Sequence, residues 1–143
     1  MRWKRATPDF SYDTYDRGHD VVFGSGTAIK ASAAPAFKGD PHRVNPEEQL
    51  VAALSSCHML TFLAIAARRR FTVDSYDDDA AGVLEKNAAG KLAITRVTLK
   101  PRVVFSGEKL PSDDDVRALH ERSHEECFIA SSVLTVVVVE PQS

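Results

Sequence analysis

The sequence is short of the residues that staple small folds and of the long apolar runs that cross membranes. It holds two cysteines, two methionines and one tryptophan in 143 residues. Two cysteines cannot make a disulfide framework, and a domain of this size does not need one, because it buries roughly 68–70% of its unfolded surface. Neither charge is in excess, with 18 Lys and Arg against 20 Asp and Glu and a net charge of −2. That balance excludes the basic footprint of a nucleic-acid binder and a strong attraction to anionic membrane. The longest apolar stretch, residues 59–67 with Thr61 inside it, is too short for a bilayer, and residues 1–9 alternate charge and polarity without an apolar centre. The expectation is a single domain over residues 1–143, cytoplasmic, with no nucleic-acid or membrane partner and a small neutral ligand. Cysteines that pair in such a setting pair for chemistry.

What is present falls into clear segments. The run His19-Asp20-Val21-Val22-Phe23, then Gly24-Ser25-Gly26, then Thr27-Ala28-Ile29-Lys30-Ala31 predicts a hairpin, with Arg17 just before its first strand. Residues 35–46 (PAFKGDPHRVNP) predict a loop that closes with Asn45 as helix cap and Pro46 at the first helical position. Glu47 and Glu48 then complement the positive helix end. From Glu47 to about residue 70, apolar side chains at Leu50, Ala53, Leu54, Cys57, Leu60, Ala64 and Ala67 keep helical spacing. Val51, Met59, Phe62, Leu63 and Ile65 add apolar surface on other faces, which predicts a central helix buried most of the way around.

Residues 71–85 and 91–105 are β-rich and joined by a turn at Asn87-Ala88-Ala89-Gly90. Leu92 and Ile94 fall on one face and Val97 and Leu99 on the other, so a bulge is expected near Thr95. Ser112 ahead of Asp113, Asp114 and Asp115 caps a second helix that ends near Cys127, and residues 133–139 read as a fully buried strand. The order βββ-α-ββ-α-β argues for the α+β class with antiparallel sheet.

Cys57 taken alone reads as a small buried hydrophobe on an apolar stripe, the commonest role of a free cysteine. Cys127, in His124-Glu125-Glu126-Cys127-Phe128, has polar residues on one side and apolar ones on the other, which suits a thiol at the rim of a pocket. The run Asn45-Pro46-Glu47-Glu48-Gln49-Leu50-Val51-Ala52-Ala53-Leu54-Ser55-Ser56-Cys57-His58 resembles the cap, carboxylate and thiol signature of the OsmC/Ohr family of hydroperoxide-reducing proteins. A matching second cysteine follows at Cys127, and the resemblance covers nearly the whole chain, from about Arg17 to Glu140.

The resemblance implies an OsmC-like fold, with antiparallel sheets wrapped around two long helices in an intertwined homodimer. It implies a peroxidase that needs no cofactor: Cys57 attacks an organic hydroperoxide, Cys127 closes a disulfide behind it, and an external dithiol reduces that disulfide. It also implies a Glu47 carboxylate that holds an arginine near the thiolate. That arginine is Arg17 if it precedes the hairpin, as in one branch of the family, or Arg43 if it precedes the helix motif, as in the other. Phe128 departs from the pattern, since proline often follows the second cysteine in that family.

The chemistry asks for such a set. A thiol of pKa about 8.5 is roughly 3% ionised at pH 7, and lowering the pKa to about 6 gains some thirtyfold in thiolate. A Brønsted slope of about 0.4–0.5 returns more than tenfold of that gain. The larger contribution therefore comes from stabilising the departing alkoxide and aligning the peroxide, for which a fixed guanidinium is suited. On one straight helix, ten residues at about 1.5 Å rise put Glu47 and Cys57 about 15 Å apart. Either Arg17 and Glu47 serve the cysteines of a partner chain, or the helix bends.

Other clusters weigh less. His120, His124 and Cys127 at i, i+4 and i+7, with Cys57 and His58, could form a zinc site, but His120 and His124 also read as polar residues of an exposed face. Arg68-Arg69-Arg70 reads as a basic last turn answering the helix dipole, and Asp77-Asp78-Asp79 as a turn without calcium-loop spacing. Leu54, Met59, Leu60 and Phe128 are the expected apolar lining for a lipid-like or aromatic peroxide. The rival readings are a non-enzymatic protein that binds an apolar ligand and a metal-binding protein.

Overall fold

In the computed structural model, which describes residues 1–142, the chain forms two units, one over Met1–Leu50 and one from Val51 onward. The first unit is built on the expected hairpin. Strands β1 (His19–Val22) and β2 (Ala28–Ala31) pair antiparallel with Val21 opposite Ile29, and Gly26 turns the chain at φ 85°. Arg2 bridges Asp20 on the free edge of β1, and Ala31 bridges Val44 in parallel. A 3-10 turn at Pro35–Phe37 leads to Gly39, where any Cβ would run into the carbonyl of Ala33, so only glycine fits.

Helix α1 runs unbroken over Pro46–Arg68. Asn45 caps it as expected: the Glu48 amide donates to Asn45 Oδ1 at 2.8 Å, and the Asn45 amide donates to the Glu48 carboxylate at 2.9 Å. It stops when Arg70 takes a left-handed φ of 62°.

The second unit holds most of α1 with β3 (Thr72–Asp78), β4 (Ala81–Lys86), β5 (Leu92–Leu99), β6 (Pro101–Ser106), α2 (Asp113–Glu126) and β7 (Val136–Val139). The class is α+β. The two β-rich stretches each break into two strands, because β3 pairs with β6 while β5 pairs with β4 on one side and β7 on the other. The expected bulge is present: Val83 faces Arg96 and Leu84 faces Ile94, so Thr95 is the extra residue.

Three expectations are corrected. β5 and β7 run parallel, not antiparallel, because α2 lies in the connection that leads to β7. β7 is shorter than the expected 133–139 and only partly covered, with Val136 exposed. Asp77 and Asp78 belong to β3 and are not a turn; Asp78 accepts from the Ser55 hydroxyl at 2.5 Å and from the Lys100 amide at 2.6 Å.

The core gathers Phe62, Ile65 and Ala66 of α1, Phe71, and Leu119 of α2, with Val73, Tyr76, Val103 and Phe105 of the β3–β6 pair packed against them. Gly82 lets α1 approach β4, since a Cβ there would lie 2.8 Å from Val51 Cγ2. Helix α1 is not buried all round, as its composition suggested. Leu54, His58, Phe62, Ile65 and Ala66 are buried, while Ala53, Ser56, Leu60, Ala64 and Ala67 form an exposed stripe. By length and composition α1 could span a bilayer, although its buried face packs on protein.

Candidate functional site

Ser112 starts α2 with a reciprocal cap, its hydroxyl accepting from the Asp115 amide while the Asp115 carboxylate accepts from the Ser112 amide. The helix ends where Cys127 leaves helical geometry at φ −71° and ψ 110°, which turns its thiol inward so that the residue is only 1% exposed. Cys57, 70 residues earlier, is half-buried on α1, and both thiols are free.

The two thiols influence each other's ionisation, and their pKa values are shifted in opposite directions. Burial pushes the Cys57 thiol up, but the neighbouring Cys127 thiol and the backbone of Ile129 and Phe128 bring it below its ordinary value; the Thr61 hydroxyl donates to the Cys57 carbonyl at 2.9 Å. Burial pushes the Cys127 thiol up as well, and proximity to the Cys57 sulfur adds to this against the Ala130 and Ile129 N–H groups. The Ala130 amide lies 3.4 Å from Cys127 Sγ. The Cys57 thiol is thus the easier of the two to ionise, the property a nucleophilic thiol needs.

Cys57 opens onto a cavity of about 790 Å³ with a largely apolar wall that includes Leu60, Ala64, Ile65, Phe128 and Ile129. Of the four apolar residues expected there, Leu60 and Phe128 line it; Leu54 faces the core instead, and Met59 is not among the lining residues. Its charged rim is Arg68, Glu125 and Glu126. Both glutamates are paired with Arg122, at 3.1 and 2.7 Å, whereas among the described residues Arg68 has no carboxylate partner. Arg68, expected only as part of a basic last turn answering the helix dipole, lies at this rim; its position four residues after Ala64, which lines the same cavity, is the signal in the sequence.

Arg17 and Glu47 lie in the first unit. Arg17 is buried, donates to the carbonyls of Tyr15 at 2.9 Å and Tyr12 at 2.6 Å, and sits 4.0 Å from the Tyr15 ring centroid. It lines a cavity of about 510 Å³ with Trp3, Phe10 and His19. Glu47 stands in the first turn of α1 with Oε2 buried and, among the described residues, without a hydrogen-bond partner. Arg43 donates from Nε to Asp40 at 3.1 Å.

His120 was expected on an exposed face and is instead buried. It meets His58 with Nε2 of His58 3.1 Å from Nδ1 of His120. Burial holds both rings at a pKa of about 4, so they are neutral. The spacing of His58 with Leu54 and Phe62 on one helix face would have marked it as a core residue. Among the described residues no group of three His, Cys, Asp or Glu side chains is placed to hold a metal ion.

Residues 39–142 match the family model of OsmC-like proteins. An OsmC-like protein of unknown function from Vibrio cholerae O1 biovar eltor is 46% identical, with 99% of this chain and 95% of that one covered at a TM-score of 0.95. Two organic hydroperoxide resistance proteins share the fold. That of Bacillus subtilis is 19% identical, with 88% of this chain and 91% of that one covered at a TM-score of 0.68. That of Elizabethkingia anophelis is 15% identical, with 87% and 86% covered at a TM-score of 0.69. No curated protein matches the chain in sequence. A family model that spans most of the chain, and a relative of nearly half-identical sequence superposing over its length, make the chain a member of the OsmC-like family.

Proposed function

We propose that this protein is a cytoplasmic, thiol-dependent peroxidase that reduces organic hydroperoxides to alcohols. The observation that carries the reading is the pair of free thiols beside an apolar cavity, one pushed toward thiolate and the other away from it. The Bacillus and Elizabethkingia proteins of the same fold are named for organic hydroperoxide resistance, which supports a hydroperoxide as substrate.

In this reading the Cys57 thiolate attacks the terminal peroxide oxygen, the O–O bond breaks, and the alkoxide leaves and takes a proton to become ROH. Cys57 is then a sulfenic acid. The Cys127 thiol condenses with it, releasing water and forming the Cys57–Cys127 disulfide. An external dithiol reduces that disulfide by exchange and is itself oxidised. No metal, flavin or haem enters the cycle.

The cation that steadies the leaving oxygen is assigned to Arg17 held by Glu47, with Arg43 as the alternative. The unpartnered Glu47 carboxylate oxygen supports a role in holding a guanidinium. The helix that carries Glu47 and Cys57 is unbroken, which favours an intertwined homodimer in which each chain lends Arg17 and Glu47 to its partner's cysteines. The exposed stripe of α1 gives such a dimer an apolar face to bury.

The test is mass spectrometry after one equivalent of an organic hydroperoxide. Loss of two hydrogens mapping to a Cys57–Cys127 peptide is expected, and an unmodified pair would overturn the reading. A second reading, an apolar-ligand protein without turnover, draws on the way Tyr12 and Tyr15 already occupy the Arg17 guanidinium. Ligand binding that survives Cys57→Ser, with no peroxide consumed by the parent protein, would favour it.

A further inference from the structure

The two helices that carry the thiols are joined by one directional contact. Among the described residues, the only side-chain hydrogen bond between α1 and α2 is that between Nε2 of His58 and Nδ1 of His120, at 3.1 Å. His58 directly follows Cys57, and α2 ends at Cys127 seven residues after His120. Both rings are buried, at 1% and 4% exposure, and the centroid of the Phe62 ring lies 4.5 Å from that of His120. The apolar contacts that Phe62, Ile65 and Ala66 share with Leu119 are non-directional. The Arg69–Asp115 ion pair, at 3.8 Å, is half-exposed and lies at the other end of α2.

Two histidines are a costly filling for a core. A neutral imidazole has one N–H and one lone pair, so a single bond between two rings leaves one of each over. Those leftovers are Nδ1 of His58 and Nε2 of His120, buried and unpartnered among the described residues. Each costs free energy that an apolar pair of the same shape would not. What an N–H···N bond provides, and an apolar contact does not, is a fixed distance and angle.

We propose that His58 and His120 are positioning residues for the disulfide step: their bond sets the register of α2 on α1, and so where the Cys127 thiol stands relative to Cys57. Glu125, Glu126, Phe128 and Ile129, on both sides of Cys127, line the same cavity as Cys57, so the end of α2 is delivered to that thiol. At about 1.5 Å rise per residue that end stands about 10 Å beyond His120, and a tilt of about 10° at the histidines would move it by about 2 Å. A disulfide admits only about 1 Å of spread in Cβ separation. A small error at the imidazoles is therefore a large one at sulfur.

The inference rests on the Cys57–Cys127 disulfide of the proposed cycle, and its test forms that bond without peroxide. In a glutathione redox buffer the protein dithiol passes two electrons and two protons to oxidised glutathione, giving the protein disulfide and two reduced glutathiones. Thiol alkylation read by mass spectrometry gives the equilibrium constant. His58→Leu/His120→Leu removes the bond and its leftover polar atoms, whereas His58→Gln/His120→Asn places amide atoms where Nε2 and Nδ1 stood. The leucine variant, folded by circular dichroism, is expected to lower the disulfide equilibrium constant about five- to tenfold, the scale of one hydrogen bond. The amide variant should stay within about twofold of the parent. A leucine variant equal to the parent would overturn the proposal and leave the peroxidase reading untouched; a parent that forms no Cys57–Cys127 disulfide would remove both. Should the leucine variant fail to fold, the ¹⁵N-histidine signals of the parent decide it. Coupling is reciprocal, so closing the disulfide must shift the signals of the bonded Nε2 and Nδ1, and signals identical in the dithiol and disulfide forms sink the idea.

Discussion

Nε2 of His58 and Nδ1 of His120 lie 3.1 Å apart in rings within 4° of parallel, so a single N–H···N bond ties α1 to α2 inside the core. The ring centroids are 5.5 Å apart, too far for face-to-face stacking and right for an in-line bond. Among the described residues, Nδ1 of His58 and Nε2 of His120 have no partner. The pair shares one proton in the bond and has no acceptor for a second.

That geometry makes the fold sensitive to acid. Both pKa values fall to about 4 in the folded chain, against about 6.5 unfolded. The unfolded state therefore binds more protons between these limits, and the stabilisation present above pH 6.5 is lost as pH falls toward 4. Urea midpoints measured from pH 7.5 to 4 should decline over that window, and a His58→Ala/His120→Ala double variant, though less stable at pH 7.5, should decline less.

Cys127→Ser separates the two chemical steps. The variant should still react once with an organic hydroperoxide and leave a sulfenic acid at Cys57 that dimedone traps, with consumption stopping near about one equivalent. Continued turnover with a dithiol at the parent rate would remove Cys127 from the cycle.

Arg68 is the cation left over at the cavity rim. For a hydroperoxide that carries a carboxylate at its far end, Arg68→Ala should raise KM about two- to fivefold, the scale of an exposed ion pair. The KM for neutral cumene hydroperoxide should not change. Equal effects on both substrates would assign Arg68 a structural role.

Complementation reports whether the site is shared between chains. Mixed dimers of a Glu47→Ala chain and a Cys57→Ser chain should regain about one active site per dimer when the arginine and glutamate serve the partner's cysteine. Self-contained subunits would leave such mixtures inactive.

Ser112→Ala removes a reciprocal cap from the helix that delivers Cys127. The loss should be about 1 kcal/mol, or about 4 °C in Tm, measured by thermal unfolding. Ser112→Asp should restore most of it.

Local signals were legible without coordinates. The Asn45 and Ser112 caps, the Gly26 turn and the Thr95 bulge each depend on one to four neighbouring residues, and each is found where the sequence places it. The cysteine pair was legible from its motif, and the structure supplies its environment. The unread features are those in which distant segments meet. Nothing near His120 announces that His58, 62 residues earlier, will face it. The parallel β5–β7 pairing likewise depends on where α2 returns the chain.

The sequence by itself determined the two helices, their ends, the hairpin and the two thiols, because caps, turn glycines and apolar periodicity act over a few residues of chain. Tertiary structure alone decided that the Cys57 thiol is shifted toward ionisation while that of Cys127 is shifted away from it, and that two histidines are neutral in the core. Charge state depends on burial and on donors brought from elsewhere, and only a folded chain has either.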